Sequence, residues 1–224
     1  MERALAIVLV SGGLDSCVTA AIAAQQFDLA FLHLNYRQRT ERRELRAFEE
    51  IVDHFRVKQR LVVDVSFLQQ IGGTSLIDTR IPVPEDTLDD ESVPSTYVPF
   101  RNANLLGIAV AWAESIAATA VYIGAHQQDS AYPDCRQVFF EAYNRMIAVG
   151  TRFPSRIRVH TPLLAANKTD IVRRGLELGA PFALTWSCYQ RDDLACGRCH
   201  SCRLRLSGFA SAGVEDPLPY VSRG

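Results

Sequence analysis

The sequence predicts an α/β chain built on a doubly wound parallel sheet, with a small cysteine-bound knuckle towards its C-terminal end. Three observations carry this. From the N-terminus, aliphatic runs of strand length alternate with amphipathic stretches of helix length, the order that a parallel sheet with crossover helices needs. The first run stops at two glycines that open a helix, in "AIVLVSGGLDSCVTAA". Four of the six cysteines crowd into residues 188 to 202.

Leu5–Val10 reads as a buried strand, Ser11–Gly13 as its glycine turn and Asp15–Gln26 as the first helix. Asp28–Asn35 is the second strand, Thr40–Phe55 a charged amphipathic helix and Gln59–Val65 the third strand. Residues 71–100 hold four prolines and no apolar periodicity, which predicts a lid or binding loop. Leu105, Ile108, Ala109 and Trp112 form a helical stripe within Asn102–Ile116. Ala120–Gly124 is a strand, Arg136–Val149 a helix and Arg158–Leu163 the last strand. Lys168–Leu178 is the last long helix, closed by Gly179 and Pro181. Residues 1–184 therefore read as the α/β unit and 185–224 as the cysteine-bearing region.

With 224 residues, 48% hydrophobic and 22% charged, the chain has the balance of a globular protein, which excludes a disordered one. A formal net charge of −1 counts against a surface that grips nucleic acid, and no such partner is expected. Ala4–Val10 is too short for a signal-peptide core, and nothing approaches the roughly 20 apolar residues of a membrane span. No membrane association is expected. Clustered cysteines without an export signal predict a metal site in a reducing cytoplasm.

The glycine turn has no lysine, so it is not a Walker A loop. Backbone N–H groups at a helix start still favour an anion, Gly12 and Gly13 allow close approach, and the Ser11 and Ser16 hydroxyls can donate to phosphate oxygens. Asp15 beside a phosphate is repulsive unless a cation lies between them, which predicts Mg²⁺ arriving with ATP.

Cys188, Cys196, Cys199 and Cys202 are spaced C-x₇-C-x₂-C-x₂-C. Four thiolates complete a tetrahedral zinc site with no position for water, so the metal is structural; an iron–sulfur cluster is the competing occupant. Arg191, Arg198, Arg203 and Arg205 are placed to offset the thiolate charge, and His200 stands outside the ligand set. Cys17 reads as helix packing, and Cys135 has no assigned role.

Basic residues at helix starts oppose the macrodipole unless an anion binds there. Lys168 follows the cap Asn167, with Asp170 at the capping-box position. Arg101 and Asn102 sit where the proline-stiffened loop enters a helix; Asp129, Tyr132, Asp134 and Arg136 precede the next. Tyr132 can stack on a planar base, Asp129 or Asp134 can accept from a guanine-like edge, and Arg101 or Arg136 can fork a carboxylate. Pro133-Asp134 also suits a plain turn and helix cap.

Ser11, Gly12, Gly13, Asp15 and Ser16 match the S-G-G-x-D-S signature, and the chain resembles the PP-loop ATP pyrophosphatases. More specifically, "VPSTYVPFRN", "GAHQQDSAYPDCR", "NKTDIV", "TWSCY" and "CGRCHSCRLRLSGFASAG" make it similar to the QueC family of nitrile-forming ligases. Arg37 and Phe100 stand where that family commonly has glycine, and His200 where it commonly has aspartate. The resemblance implies a PP-loop (adenine nucleotide alpha hydrolase-like) fold with ATP held by Val10, Ser11, Gly12, Gly13, Leu14, Asp15, Ser16, Cys17, Val18, Thr19 and Ala20. It implies Asp15, Ser16 and Lys168 in catalysis, and Arg101, Asn102, Asp129, Tyr132, Asp134 and Arg136 at the substrate. It further implies adenylation of 7-carboxy-7-deazaguanine, amide formation and dehydration to a nitrile, in a homodimer. The length leaves no room for a glutaminase domain, so free ammonium is the expected nitrogen donor. The alternatives are tRNA thiolation or lysidine formation on the same loop, or a non-enzymatic docking module.

Overall fold

Alternate residues of the first strand, β1 (Leu5–Leu9), point to opposite faces of the sheet, and both faces are covered. The computed structural model describes residues 3–78, 80–83, 93–127, 132–153 and 156–221. In chain order they form β1, α1 (Leu14–Ala23), β2 (Asp28–Asn35), α2 (Glu41–Phe55), β3 (Gln59–Asp64) and a short α3 (Phe67–Ile71). Then come α4 (Arg101–Ile116), β4 (Ala120–Tyr122), α5 (Gln137–Gly150), β5 (Arg158–His160), α6 (Lys168–Glu177) and α7 (His200–Ala212). The strands pair in parallel in the order β3-β2-β1-β4-β5.

Ile7 and Leu9 join Leu106 and Ala109 of α4 and Phe140 and Ile147 of α5 on one face. Ala6, Val8 and Val10 join Cys17 and Ala20 of α1 and Phe48, Ile51 and Val52 of α2 on the other. Strand order reverses between β1 and β4, and a doubly wound sheet opens a crevice at the carboxyl ends of such a pair. Beyond α1, α6 buries Ile171 and Val172 against Leu14 and Val18, and Phe209 of α7 completes that cluster.

The expected strands and long helices are all present. β4 and β5 end earlier than expected, at Tyr122 and His160 instead of Gly124 and Leu163. Beyond β4, Gly124 passes against the first turn of α1, where an added Cβ would lie 3.0 Å from the Asp15 carbonyl. α7 went unrecognised in the sequence. Its buried face is Cys202, Arg205, Gly208 and Phe209, helically spaced but half polar, so no apolar stripe marks it. Among the described residues no helix is long and apolar enough to cross a membrane.

Arg37 (φ 63°) and Phe100 (φ 54°) both hold left-handed backbone, which is the physical reason a glycine suits those positions. α4 ends likewise on exposed Ala117 at φ 58°. A left-handed alanine costs about 1–2 kcal/mol and a glycine's extra unfolded-state freedom about 0.5–1 kcal/mol, so the difference favours glycine. Ala117→Gly is expected to raise Tm by about 1–3 °C in calorimetry, with activity unchanged; a lowered Tm would contradict the strain assigned there.

Candidate active site

One cavity of about 830 Å³ opens at the β1/β4 switch point, near the upper end of the roughly 300–1,000 Å³ of small-molecule sites. Its floor is apolar, from Leu9, Leu32, Leu34 and Ile123, and its polar groups collect at two ends.

The glycine turn makes the first end. Gly12 stands at φ +88° with a virtual Cβ only 2.5 Å from the Glu44 carbonyl, so any side chain would clash with α2. Ser11 Oγ and Ser16 Oγ lie 3.2 Å apart, and Ser16 Oγ donates to the Gly13 carbonyl at 2.9 Å. The pair thus presents two hydroxyls at the start of α1, where the helix dipole favours an anion. Val10, Gly13, Leu14 and Asp15 line the cavity beside these serines. Gly12, Cys17, Val18, Thr19 and Ala20 are not among its lining residues. Cys17 and Ala20 pack on the sheet, Val18 meets α6, and Thr19 Oγ1 donates to the Asp15 carbonyl at 2.8 Å. Burial pushes the Cys17 thiol up to about 12, consistent with a packing role.

A turn without a lysine receives one from α6. Lys168 Nζ donates to both Asp15 carboxylate oxygens, at 2.7 and 2.9 Å, across 153 residues of sequence. The capping box that explains the start of α6 is present as well: Asp170 N–H donates to Asn167 Oδ1 at 2.9 Å, and Asn167 N–H to Asp170 Oδ2 at 3.4 Å. His126, which sequence reasoning did not single out, brings Nε2 to 3.4 Å from both Asp15 Oδ2 and Lys168 Nζ. Burial pushes the Asp15 carboxyl up, but Lys168 and His126 together outweigh it and hold the group well below the usual carboxylate range.

Four segments meet at the other end. Arg101, the first residue of α4, donates from Nη1 to the Tyr36 hydroxyl at 3.2 Å, and its guanidinium carbon lies 5.7 Å from that ring's centre. Tyr132 and Tyr189 complete the group, and Thr96 Oγ1 and Tyr132 Oη share a 2.6 Å hydrogen bond. Burial works against the Arg101 charge, yet the surrounding hydroxyls and Asp134 stabilise it further. Among the described residues no carboxylate lies within ion-pair distance of Arg101.

Of the other residues expected at the substrate, Asn102 lines the cavity but donates from Nδ2 to the Asp134 carbonyl at 3.0 Å and to Cys135 Sγ at 3.3 Å. Asp134 does not line the cavity. It is 3% exposed, and Oδ2 accepts the Asn102 N–H at 2.9 Å, capping α4. Arg136 is exposed and donates to the Pro133 carbonyl, outside the cavity wall. Of the two arginines able to fork a carboxylate, Arg101 is thus the one at the cavity. Asp129 lies outside the described residues. Cys135 does line the cavity, with burial pushing its thiol up to about 11, which makes it a poor nucleophile.

The four sulfurs of Cys188, Cys196, Cys199 and Cys202 lie within 4.8 Å of one another, and those of Cys196 and Cys202 are 3.9 Å apart. Tetrahedral zinc with bonds of about 2.3 Å separates its sulfurs by about 3.8 Å, so the donor set fits a single ion. A four-iron cube would stand between the sulfurs and spread them farther. Backbone N–H groups of Gln190 and Cys196 point at Cys188 Sγ, and that of Cys199 at Cys196 Sγ, which favours the thiolates. Arg205 is not a counter-charge for these thiolates. Buried at 1% exposure, it forms a two-pronged pair with Asp216 at 2.8 and 2.9 Å and bonds Thr185, Ser187 and the Phe182 carbonyl. Arg191 pairs with Asp193.

The described start of the long loop is held down by Arg39, whose guanidinium donates to the carbonyls of Ser75 (2.8 Å), Asp78 (3.1 Å) and Ile81 (2.7 Å). The loop's Leu76, Ile77 and Val98 pack under Tyr36 and Tyr189. Tyr36 and Tyr189 had no signal in the sequence beyond standing near motifs.

The profile of the family described as queuosine biosynthesis protein QueC matches residues 5–213. The 7-cyano-7-deazaguanine synthase of Chlorobium chlorochromatii is 52% identical over 220 residues, covering 97% of this chain and 96% of that protein. The protein of the same name from Chlorobaculum tepidum is 51% identical over 220 residues, covering 97% of each. Among solved structures, the U34-tRNA thiolase NcsA from Methanococcus maripaludis, with its 4Fe–4S cluster, aligns with a TM-score of 0.51 at 13% identity. It covers 80% of this chain and 58% of that one. That likeness shows a shared fold.

Proposed function

The chain belongs to the QueC family of queuosine biosynthesis proteins, and on that premise we propose that it converts 7-carboxy-7-deazaguanine, ammonium and ATP into 7-cyano-7-deazaguanine. The observation that carries this reading is the shared cavity. An anion-binding turn with the Asp15–Lys168 pair stands at one end, and Arg101, without a carboxylate partner among the described residues, stands at the other.

The β- and γ-phosphates sit on the turn, facing the Ser11 and Ser16 hydroxyls and the first N–H groups of α1. Phosphate brings its own Mg²⁺, for which Asp15 is the nearby carboxylate, while Lys168 turns from Asp15 to the phosphate oxygens. Arg101 forks the acid so that a carboxylate oxygen attacks the α-phosphorus and pyrophosphate leaves. Ammonia then attacks the acyl carbon and AMP leaves. The amide oxygen repeats the attack on a second ATP, and loss of AMP and the nitrogen-bound protons leaves the nitrile. The protein supplies position, charge and dryness. Mass spectrometry of a turnover mixture should show the nitrile and two AMP per nitrile; ADP with inorganic phosphate and no AMP would reject this scheme.

The reading includes a homodimer in the reducing cytoplasm. Val138, Ala142, Met146 and Val149 of α5 form an exposed stripe at helical spacing that Phe153 continues, with Val149 84% exposed. A self-complementary dimer would cover it. Met146→Glu with Val149→Glu is expected to halve the mass in light scattering; a wild type already monomeric would reject the dimer.

A further inference from the structure

Residues of the cysteine-bearing region also line this cavity, and the aromatic one at the acid-binding end is Tyr189, which directly follows the metal ligand Cys188. The knuckle holds this residue by packing: its ring lies against the cluster formed by Trp186, Cys188, Cys199 and Cys202. The ring packs with Tyr36 on Leu76, Ile77 and Val98. Ser201 also lines the cavity.

We propose that Tyr189 is a specificity-determining residue for the heterocyclic acid and that the metal knuckle, by fixing it, builds that end of the cavity. This rests on the substrate reading above. A flat ring wedged between the knuckle cluster and the Leu76, Ile77 and Val98 cluster keeps a stacking face in place before the ligand arrives, so little ordering is left for binding to supply. Arg101 beside it takes the carboxylate of the same planar molecule. The two clusters that cover the sheet contain none of the four ligands, so the core of the α/β unit is built apart from the metal.

The test is calorimetric titration, without turnover, of the full chain with 7-carboxy-7-deazaguanine and separately with a non-hydrolysable ATP analogue. Tyr189→Ala should weaken acid binding about tenfold or more, as for loss of one stacking partner, and leave the analogue within about threefold. Tyr189→Phe, which keeps the ring, should restore most of the affinity. Protein stripped by a strong chelator should lose the acid in the same way, keep the analogue, and recover on adding zinc. Unchanged acid affinity in Tyr189→Ala overturns the proposal, as does stripped protein that loses both ligands alike. A wild type that binds the analogue but not the acid overturns the substrate reading, and this inference with it.

Discussion

Asp15→Asn is expected to lower turnover about a thousandfold or more, while the metal content stays that of the wild type. The substitution keeps the shape and removes the charge that meets both Lys168 Nζ and, with ATP present, the magnesium on the phosphates. Removing one preorganised electrostatic group from a dry site costs about 10²–10³ in rate, and here two cations lose their partner. Stability falls as well. Lys168 is left 13% exposed with no carboxylate, and because Asp15 itself is 26% exposed the loss is about 2 kcal/mol, or roughly 4–8 °C in Tm. The sign of the pH dependence follows from the depressed carboxyl. A group whose folded-state pKa lies below its ordinary 3.8 stabilises fully above that value and loses the contribution as pH falls towards the folded one. Wild-type Tm should therefore drop more steeply than that of the variant below about pH 4. Turnover within tenfold of wild type would remove Asp15 from the chemistry.

Cys188→Ser is expected to abolish stoichiometric metal binding and to lower Tm by about 10–20 °C. A structural zinc contributes folding free energy directly, and loss of about 5 kcal/mol from a chain of this length gives that shift. The effect stays below complete unfolding because Arg205, Asp216 and Tyr220, joined by bonds of 2.6 to 2.9 Å, tie the tail to Thr185 independently of the metal. Elemental analysis of the wild type should give about one zinc per chain and no iron, as the sulfur separations require. Several irons per chain would sink the single-ion reading.

The order of strands and long helices was legible because such patterns are properties of near neighbours: continuous apolar runs of strand length mark β1 and β2, and helical spacing marks α2 and α4. The turn and the cysteine knuckle were legible for a similar reason, since the groups that act together stand within a few residues of one another. Partners chosen across crossovers were not. Lys168 was expected to meet an anion, but that Asp15 provides it depends on α6 packing against α1. Asp134 could cap a helix or read a base, and it is the approach of the α4 N-terminus that gives its carboxylate the Asn102 N–H. Arg205 looked like a counter-charge for thiolates until burial set it against Asp216. Tyr36, His126 and Tyr189 reach one cavity from three segments, because the chain fans out where strand order reverses. Local pattern determined the elements and the two compact motifs; which charges and rings face one another was decided by packing, since burial removes the water that would otherwise satisfy each of them separately.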